Sequence, residues 1–429
     1  MTDTSNHHSS EGRNRLFTLR RVTILTLVSI AGWFLFWPAE KAAPPTGPHN
    51  LVLRVGDVIE RLSFSSDSRR LLVGMPTRAV IWNALSGDVV RSLEDSGYSG
   101  MGIAAFGVDG RTIVTKPVNT ALLWDADTGQ RLATFVGHEY AIEAAVLSSD
   151  GRHLITTGRD KTARIWDADN LRPPSTWISP IEIRRPRITL ARPYVFDAAT
   201  FSPDGRRVVV VARVDHIAEL WNADTWQLIA VFRAEGGDMS QAIFTPDGQR
   251  ILTLSPKRVQ IWSANDGRPL VRLDAGPSQT FRRAAISPDG RWIATADDRL
   301  AVWDAETGRA LATTARSAHF SDVRFSPDGR RIATTSFDGV VQLWDSETAS
   351  VLTTLPGAAG MALNPTFSPD GRYFAASFPG PIVKIWPLID GAPHHDPNIA
   401  TIVRRESPDL VEWFSERYRL ARRRLGFGG

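Results

Sequence analysis

Three side chains of the types used in nucleophilic catalysis lie close together in the sequence: His138, Thr156 and Asp160. A histidine held between a hydroxyl and a carboxylate can act as a general base, as in a Ser–His–Asp triad. No GxSxG, Walker A or HExxH string accompanies them. Cysteine is absent, which excludes thiol catalysis, disulfides, iron–sulfur clusters and CxxCH haem attachment. Whether the three side chains do chemistry therefore depends on the elements that position them.

A short tryptophan motif recurs along the chain in eight copies: IWNA, LWDA, IWDA, LWNA, IWSA, VWDA, LWDS and IWPL. Its tryptophans are Trp82, Trp124, Trp166, Trp221, Trp262, Trp303, Trp344 and Trp386. The successive spacings are 42, 42, 55, 41, 41, 41 and 42 residues. A fixed period of this length indicates a repeat architecture, in which each unit stacks on its neighbours.

An aspartate-containing turn precedes each tryptophan, and the string FSPDGRR occurs both at 201–207 and at 325–331. The turn aspartates are Asp67, Asp109, Asp150, Asp204, Asp247, Asp289, Asp328 and Asp370. Proline presets its own φ, aspartate caps the turn and glycine accepts a positive φ, so this is hairpin chemistry. Alternating apolar and polar residues flank the turn, which predicts four short strands per unit. FSPDGRR is thus a structural joint between the first and second strands of a unit.

The paired tryptophan and SPDG hallmarks resemble those of the WD40-repeat family of β-propellers over residues 51–390. The fullest family signature is GHEYAIEAAVLSSDGRHLITTGRDKTARIWD in the third unit. The resemblance implies that His138, Thr156, Asp160 and Trp166 form a structural hydrogen-bonded tetrad. We therefore interpret the apparent triad as blade framework and predict no catalytic residue.

The count of motifs predicts eight four-stranded blades, with seven as the alternative because units one and eight are the least regular. LVLRV at 51–55 precedes the first complete unit, and IVKIW at 382–386 ends the last unit without a following strand. In the family that the chain resembles, an N-terminal strand often fills such a gap. We expect 51–55 to close the ring and to remove its open edge.

Residues 22–38 are apolar and uncharged, and four arginines precede them. This pattern predicts a transmembrane signal anchor, with residues 1–21 as a basic cytoplasmic N-terminus and residues 39–50 as a proline-rich linker. A cleaved signal peptide is the alternative, although no pair of small residues marks a cleavage site. Only five of the 50 basic residues are lysine, which favours a GC-rich bacterial genome. The chain would then be a single-pass protein of the bacterial inner membrane, with its propeller in the periplasm.

The 55-residue spacing between Trp166 and Trp221 marks an insertion, SPIEIRRPRITLARPY. With the outer strand of unit three placed near 175–178, the extra residues would fall in the connection to unit four. Arginine and aromatic side chains are enriched at protein interfaces. The candidate partner-binding residues are Trp177, Arg184, Arg185, Arg187, Arg192 and Tyr194. A solvated loop without a partner is the alternative.

Residues 391–429 form a tail after the ring. Ser407 and Pro408 are typical of a helix start, and an apolar stripe with arginines on the remaining surface predicts an amphipathic helix over about 408–425. The stripe could pack on the propeller or a partner, or lie on an anionic membrane surface.

The net charge is +4, and most of the excess lies at the two ends, so the propeller body is nearly neutral. Such a body lacks the basic footprint of a nucleic-acid binder. We predict a membrane-anchored scaffold for protein partners, with no enzyme activity, metal or cofactor. The alternatives are a periplasmic ligand-binding or envelope sensor resembling the TolB-type propellers, and a propeller hydrolase.

Overall fold

A computed structural model describes residues 50–94, 104–168, 181–183, 188–193, 195–276, 279–315, 319–389, 392–393 and 401–405. Within this part of the chain the secondary structure is entirely β. The predicted anchor at 22–38 and the predicted helix at about 408–425 lie outside the described residues.

The strands form eight sheets, which we number as blades one to eight in chain order. β1 (Asn50–Arg54) precedes the first blade. Blade one contains β2 (Arg61–Phe64), β3 (Arg70–Gly74), β4 (Ala79–Asn83) and β5 (Val89–Leu93). Blades two and three contain β6 (Ala105–Phe106), β7 (Thr112–Thr115), β8 (Thr120–Asp125), β9 (Arg131–Val136), β10 (Ile142–Leu147), β11 (His153–Gly158), β12 (Thr162–Asp167), β13 (Ile181–Ile183) and β14 (Ile188–Ala191). Blade four contains β15 (Ala198–Phe201), β16 (Arg207–Ala212), β17 (Ile217–Asn222) and β18 (Leu228–Arg233).

The second half of the chain repeats the same four-stranded meander. Blade five contains β19 (Gln241–Phe244), β20 (Arg250–Ser255), β21 (Arg258–Ser263) and β22 (Pro269–Asp274). Blade six contains β23 (Arg283–Ile286), β24 (Trp292–Ala296), β25 (Leu300–Asp304) and β26 (Ala310–Thr313). Blade seven contains β27 (Phe320–Phe325), β28 (Arg331–Ser336), β29 (Val341–Asp345) and β30 (Val351–Leu355). Blade eight contains β31 (Leu363–Phe367), β32 (Tyr373–Phe378), β33 (Ile382–Ile389), β34 (Ala392–Pro393) and β35 (Thr401–Arg405).

The apolar core is divided into clusters that each join two neighbouring blades. Successive clusters link blades one to two, two to three and onward to seven and eight. One further cluster joins blade eight to blade one and contains Leu51, Leu53, Trp82 and Ile385. Because apolar area is buried between every pair of neighbours, the ring is closed. The first strands of neighbouring blades also contact one another, so the first strand of each blade is innermost. The prediction of eight blades is confirmed.

The N-terminal strand completes blade eight. β1 pairs antiparallel with β33, with Leu51 opposite Ile385 and Leu53 opposite Val383. The predicted closure by this segment is therefore confirmed. β35 then pairs in parallel with the other edge of β1, so the closing strand lies between two neighbours. The sequence alone predicts the residues of β35 only as part of a tail.

The insertion SPIEIRRPRITLARPY contains β13 and the outer strand of blade three, instead of following that outer strand. The outer strand is β14, which pairs antiparallel with β12, and not a segment near 175–178, so that placement was wrong. β13 leaves blade three and pairs in parallel with β9 of blade two. The long spacing arises because the chain adds a fifth strand to the neighbouring blade before it returns.

The repeated turn is held by one hydroxyl and one carboxylate. In FSPDGRR at 201–207, the Ser202 hydroxyl donates to Asp204 Oδ1 at 2.5 Å and accepts the Arg207 backbone N–H at 2.9 Å. Asp204 Oδ1 also accepts the Arg206 N–H at 3.1 Å, and Gly205 has a φ of 72°. The second copy, at 325–331, has the same bonds. The motif therefore serves the fold, as its position predicted.

The last arginine of the motif also joins neighbouring blades. Arg207 Nη2 donates to the Gly248 carbonyl at 2.8 Å, and its Nη1 donates to the Ala264 carbonyl at 2.9 Å. Arg70 and Arg250 reach the corresponding turns of the blades that follow them. An exposed turn thus contributes to the packing between blades, which a hairpin alone would not require.

Antiparallel strands place the connections of each blade at two opposite ends. The turns between first and second strands and between third and fourth strands share one end, which we call the turn face. The connections between second and third strands and between successive blades share the other, which we call the loop face.

Candidate functional site

In five blades the tryptophan indole donates to a threonine hydroxyl on the second strand. The distances between Nε1 and Oγ1 are 2.7 to 2.9 Å in the pairs Trp124–Thr115, Trp166–Thr156, Trp262–Thr253, Trp303–Thr295 and Trp344–Thr334. Each threonine lies six residues after the turn aspartate of its blade. Val73 takes this position in blade one, and there the buried Trp82 Nε1 has no hydrogen-bond partner. The threonine satisfies an indole N–H that packing between blades removes from water.

The tetrad residues of blade three form a continuous chain of hydrogen bonds. Thr156 Oγ1 lies 2.8 Å from Trp166 Nε1 and 2.7 Å from His138 Nε2. His138 Nδ1 lies 2.8 Å from Asp160 Oδ2. An indole only donates, so the Thr156 hydroxyl accepts from Trp166 and donates to Nε2. Nδ1 of His138 then carries the proton and donates to the Asp160 carboxylate.

Burial decides between framework and catalysis at this histidine. The His138 side chain is 1% exposed and Thr156 is fully buried, so neither can reach a substrate from solvent. Burial lowers the pKa of His138 and outweighs the attraction of Asp160. Burial alone would raise the pKa of Asp160, but hydrogen bonds from Thr162 and His138 outweigh it and lower that pKa. The four side chains form a buried hydrogen-bond network that links the connection bearing His138 to the strands bearing Thr156 and Trp166.

Replacing His138 by alanine should lower the free energy of unfolding of the protein. The change leaves the Asp160 carboxylate, 3% exposed, without its imidazole partner, and we expect a loss of about 2–4 kcal/mol in the free energy of unfolding. Urea unfolding followed by tryptophan fluorescence measures it. His319→Ala, at an exposed histidine, is the matched control. Equal stabilities of the two variants would contradict the structural role of His138.

Blade four uses a different internal partner for its tryptophan, and this involves one predicted interface residue. Trp221 Nε1 donates to Glu219 Oε2 at 3.1 Å, because Val210 replaces the usual threonine. Arg192 Nε donates to Glu219 Oε1 at 2.9 Å, and its guanidinium lies 4.9 Å from the centre of the Trp221 ring. Arg192 therefore pairs within the ring, and its predicted partner contact stays a prediction. The acidic residue two before the tryptophan was its sequence signal.

The other predicted partner-binding residues, Trp177, Arg184, Arg185, Arg187 and Tyr194, lie outside the described residues. Within the described ranges no group of three or more His, Cys, Asp or Glu side chains could hold a metal ion. The same part of the chain contains no helix of sufficient length and apolar character to cross a bilayer.

The loop face carries several exposed apolar side chains that sequence reasoning missed. Its large exposed apolar side chains are Val58, Val118, Tyr140, Val214, Phe337 and Met361. Among the described residues outside the strands, the turn face exposes only Leu85 and Val108 of this kind, and the other large exposed apolar side chains lie on strands, mostly the outer ones. The Ile142 N–H donates to the Val118 carbonyl at 2.6 Å, which brings the connections bearing Val118 and Tyr140 together across blades two and three. Hydrophobicity patterns along strands could not show this surface, because it is assembled from separate loops.

A closed ring of eight meanders with a Trp–Thr bond in five of them defines the chain as a WD40-type β-propeller. The family model for the WD domain, G-beta repeat, matches residues 129–167, 268–304 and 311–345. An uncharacterized WD repeat-containing protein of Deinococcus radiodurans is 32% identical over 185 residues, which cover 36% of this chain and 70% of that protein. The chain belongs to the WD40-repeat family, whose propellers are typical protein–protein interaction scaffolds.

Other relatives share less of their length with the chain. The transcription initiation factor TFIID subunit 5 of Caenorhabditis elegans is 29% identical over 44% of this chain and 30% of that protein. Pre-mRNA-processing factor 19 homolog 2 of Arabidopsis thaliana is 24% identical over 42% of this chain and 36% of that protein. The chain thus spans about a third of these two proteins.

Solved propellers share the fold. The C-terminal WD40 domain of Sif2 superposes with a TM-score of 0.65 at 15% identity, over 77% of this chain and 95% of that one. The computationally designed Ika8 protein superposes with a TM-score of 0.66 at 19% identity, over 80% of this chain and 100% of the design. At these identities the comparison supports the fold alone.

Proposed function

We propose that the protein is a membrane-anchored WD40 scaffold that presents its loop face to a protein partner in the bacterial periplasm. The observation that carries the proposal is the unequal exposure of apolar side chains on the two faces. Six large apolar side chains are exposed on the described loop face and two on the described turn face. Exposed apolar patches in soluble domains commonly mark interaction sites.

Blades two and three are the centre of the proposed interface. Tyr140 is 62% exposed and Val118 is 56% exposed, and both belong to loops joined by the hydrogen bond between Ile142 and Val118. The neighbouring ion pair between Arg159 and Glu143 supplies a charged rim. An aromatic anchor with apolar neighbours and a polar rim is the usual composition of a protein interface.

The membrane part of the proposal rests on the sequence. Arginines before the apolar segment and a single lysine closely after it favour a cytoplasmic N-terminus. The linker at 39–50 leads into the strand that closes the ring, so the anchor would hold the propeller through β1. The buried histidine and the nature of the family's propellers support a role in binding without catalysis.

The absence of native cysteine allows a direct test of localisation. A single cysteine introduced by Val108→Cys, at a position 66% exposed, should react with a membrane-impermeant maleimide in cells whose outer membrane has been permeabilised. Asn6→Cys, in the predicted cytoplasmic segment, should react only after lysis. The reverse pattern would overturn the periplasmic placement.

The loop-face interface predicts position-dependent crosslinking. A photoactivatable amino acid at Tyr140 should give a discrete protein adduct in cells, whereas the same probe at Val108, of similar exposure on the turn face, should not. Once the adduct is identified, Val118→Ala/Tyr140→Ala should weaken its binding about tenfold or more, since truncating an aromatic anchor costs 1–2 kcal/mol or more. Equal crosslinking from both faces would contradict the assignment.

A further inference from the structure

The inner strands of the ring carry an equivalent position whose side chain is not buried. It is the residue of each first strand that pairs with the residue seven after the turn aspartate. The pairs are Arg61–Gly74, Ala144–Thr157, Ala198–Val211, Gln241–Leu254, Arg283–Ala296, Asp322–Thr335 and Leu363–Ser377. None of these first-strand residues is buried, whereas the next residue is buried in blades one, five, six and seven. Neighbouring blades and the second strand cover the inner strand elsewhere, so its exposed side chains meet solvent in the channel.

The chemistry at this level differs between two arcs of the ring. Blades three and four present only the methyl groups of Ala144 and Ala198. Blades six, seven and one present Arg283, Asp322 and Arg61, and blade eight, which lies between seven and one, presents Leu363. Arg324 follows two residues after Asp322 on the same strand. Side chains two residues apart on a strand share a face. This arc of the channel therefore carries three guanidinium groups and one carboxylate.

The Asp322 carboxylate is already engaged. Arg324 Nη2 lies 3.3 Å from Asp322 Oδ2. Arg283 Nη1 donates to the Arg282 carbonyl. The Arg61 side chain makes no hydrogen bond and no ion pair within the described residues. The three guanidinium groups of the arc thus outnumber the carboxylate at their level.

Arg61 and Arg324 come from blades one and seven but lie close enough for their charges to interact. Burial lowers the pKa of Arg61, the repulsion of Arg324 lowers it further, and Asp322 offsets only part of this effect. A side chain in a channel can touch water and still be surrounded by protein, which accounts for a desolvated yet exposed guanidinium. An anion in the arc would relieve the repulsion.

We infer that the channel arc formed by Arg61, Arg283 and Arg324 binds a small polyanion that carries phosphate or carboxylate groups. Guanidinium groups bind both through paired, charge-assisted hydrogen bonds in a planar fork. The methyl side chains of Ala144 and Ala198 leave room for such a ligand on the opposite side of this level. Other charged groups near the channel compensate one another, as Glu143 and Arg159 do. The site would be separate from the proposed partner contacts at Val118 and Tyr140.

Calorimetric titration of the full-length protein in detergent with inorganic pyrophosphate, and separately with citrate, tests this inference at low ionic strength. We expect saturable binding of at least one of the two, with affinity that falls as salt is added. Arg61→Gln should weaken binding at least tenfold, and adding Arg283→Gln should weaken it further. Arg206→Gln, at an exposed arginine of the turn face, should leave it unchanged.

Thermal unfolding provides a second measurement, because a merely structural role of Arg61 would not change how an anion shifts the unfolding midpoint. The anion should raise the midpoint of the wild type and not of Arg61→Gln, while Arg61→Gln without anion should melt no lower than wild type because a repulsion is removed. Absence of binding by both probes, or equal binding by Arg61→Gln, would overturn the site. Tyr140→Ala should keep anion binding, so this test and the partner test fail separately.

Discussion

The double substitution Leu51→Ala/Leu53→Ala should weaken the whole propeller, with a loss of roughly 4–8 kcal/mol in the free energy of unfolding. Both side chains are buried, at 2% and 0% exposure, in the cluster that joins blade eight to blade one. Truncating a buried leucine costs about 2–5 kcal/mol through lost transfer free energy and the cavity left behind. The cost reaches every blade because a ring held at one seam loses its closure when the seam opens.

Urea unfolding of the full-length chain in detergent measures this loss, and Val52→Ala is the matched control on the same strand. Val52 lies between the two leucines and is only half-buried, so its truncation should cost about 1 kcal/mol or less. If the double variant is too unstable to purify, Leu51→Ala alone should still show a loss of about 2–5 kcal/mol. A double variant as stable as Val52→Ala would show that β1 is not part of the cooperative ring.

Acid should unfold the propeller steeply, because the repeated turns place the same carboxylate in the same environment. Partial burial would raise the pKa of each group, but the Ser or Thr hydroxyl and a backbone N–H that donate to it outweigh burial and lower the pKa below the ordinary 3.8. This holds for Asp67, Asp150, Asp204, Asp247, Asp289 and Asp328. These groups stabilise the fold above the ordinary value. That stability is lost as the pH falls through the folded-state pKa values, because the unfolded chain binds more protons.

The slope of the free energy of unfolding against pH is proportional to the number of protons taken up on unfolding, with about 1.4 kcal/mol per pH unit for each proton. Asparagine can accept the same hydrogen bonds without titrating, so Asp204→Asn/Asp328→Asn should lower the slope below pH 4 by up to two protons. Arg213→Gln changes the charge by one unit on the loop face and should leave the slope unchanged. An unaltered slope in the double asparagine variant would contradict the role of the turns.

These predictions separate the residues that stabilise the ring from the residues that are available for binding. The repeated tryptophan, threonine and turn residues stabilise the ring, and most of their side chains form hydrogen bonds inside it. His138 and Arg192 are included in this set, since each is paired with a carboxylate inside the ring. Residues available for binding are those that differ between blades, such as Tyr140 on the loop face and Arg61 in the channel. This division explains why the most repeated motifs are poor candidates for function.

Local patterns in the sequence determined the blade plan. These patterns are the turn FSPDGRR, the recurring tryptophan and the strand alternation. Each is local in the sequence, because hairpin geometry is set by residues that are neighbours in the chain. Eight copies of such a unit predict eight blades, and the uncovered edge of the last unit predicts a closing strand. The tetrad of His138, Thr156, Asp160 and Trp166 followed from the family resemblance, and its members do lie in hydrogen-bond contact.

Tertiary structure alone decided how distant segments pair and which side chains meet across the ring. β13 joins blade two and β35 joins β1, both in parallel, and a parallel pairing leaves no turn signal in the sequence. The bond between Arg192 and Glu219 joins residues from different blades. Such contacts depend on the packing of neighbouring blades, which brings together residues whose separation along the chain carries no periodic pattern. The sequence by itself therefore determined the repeating unit, while the closed ring decided its added strands and its candidate binding surfaces.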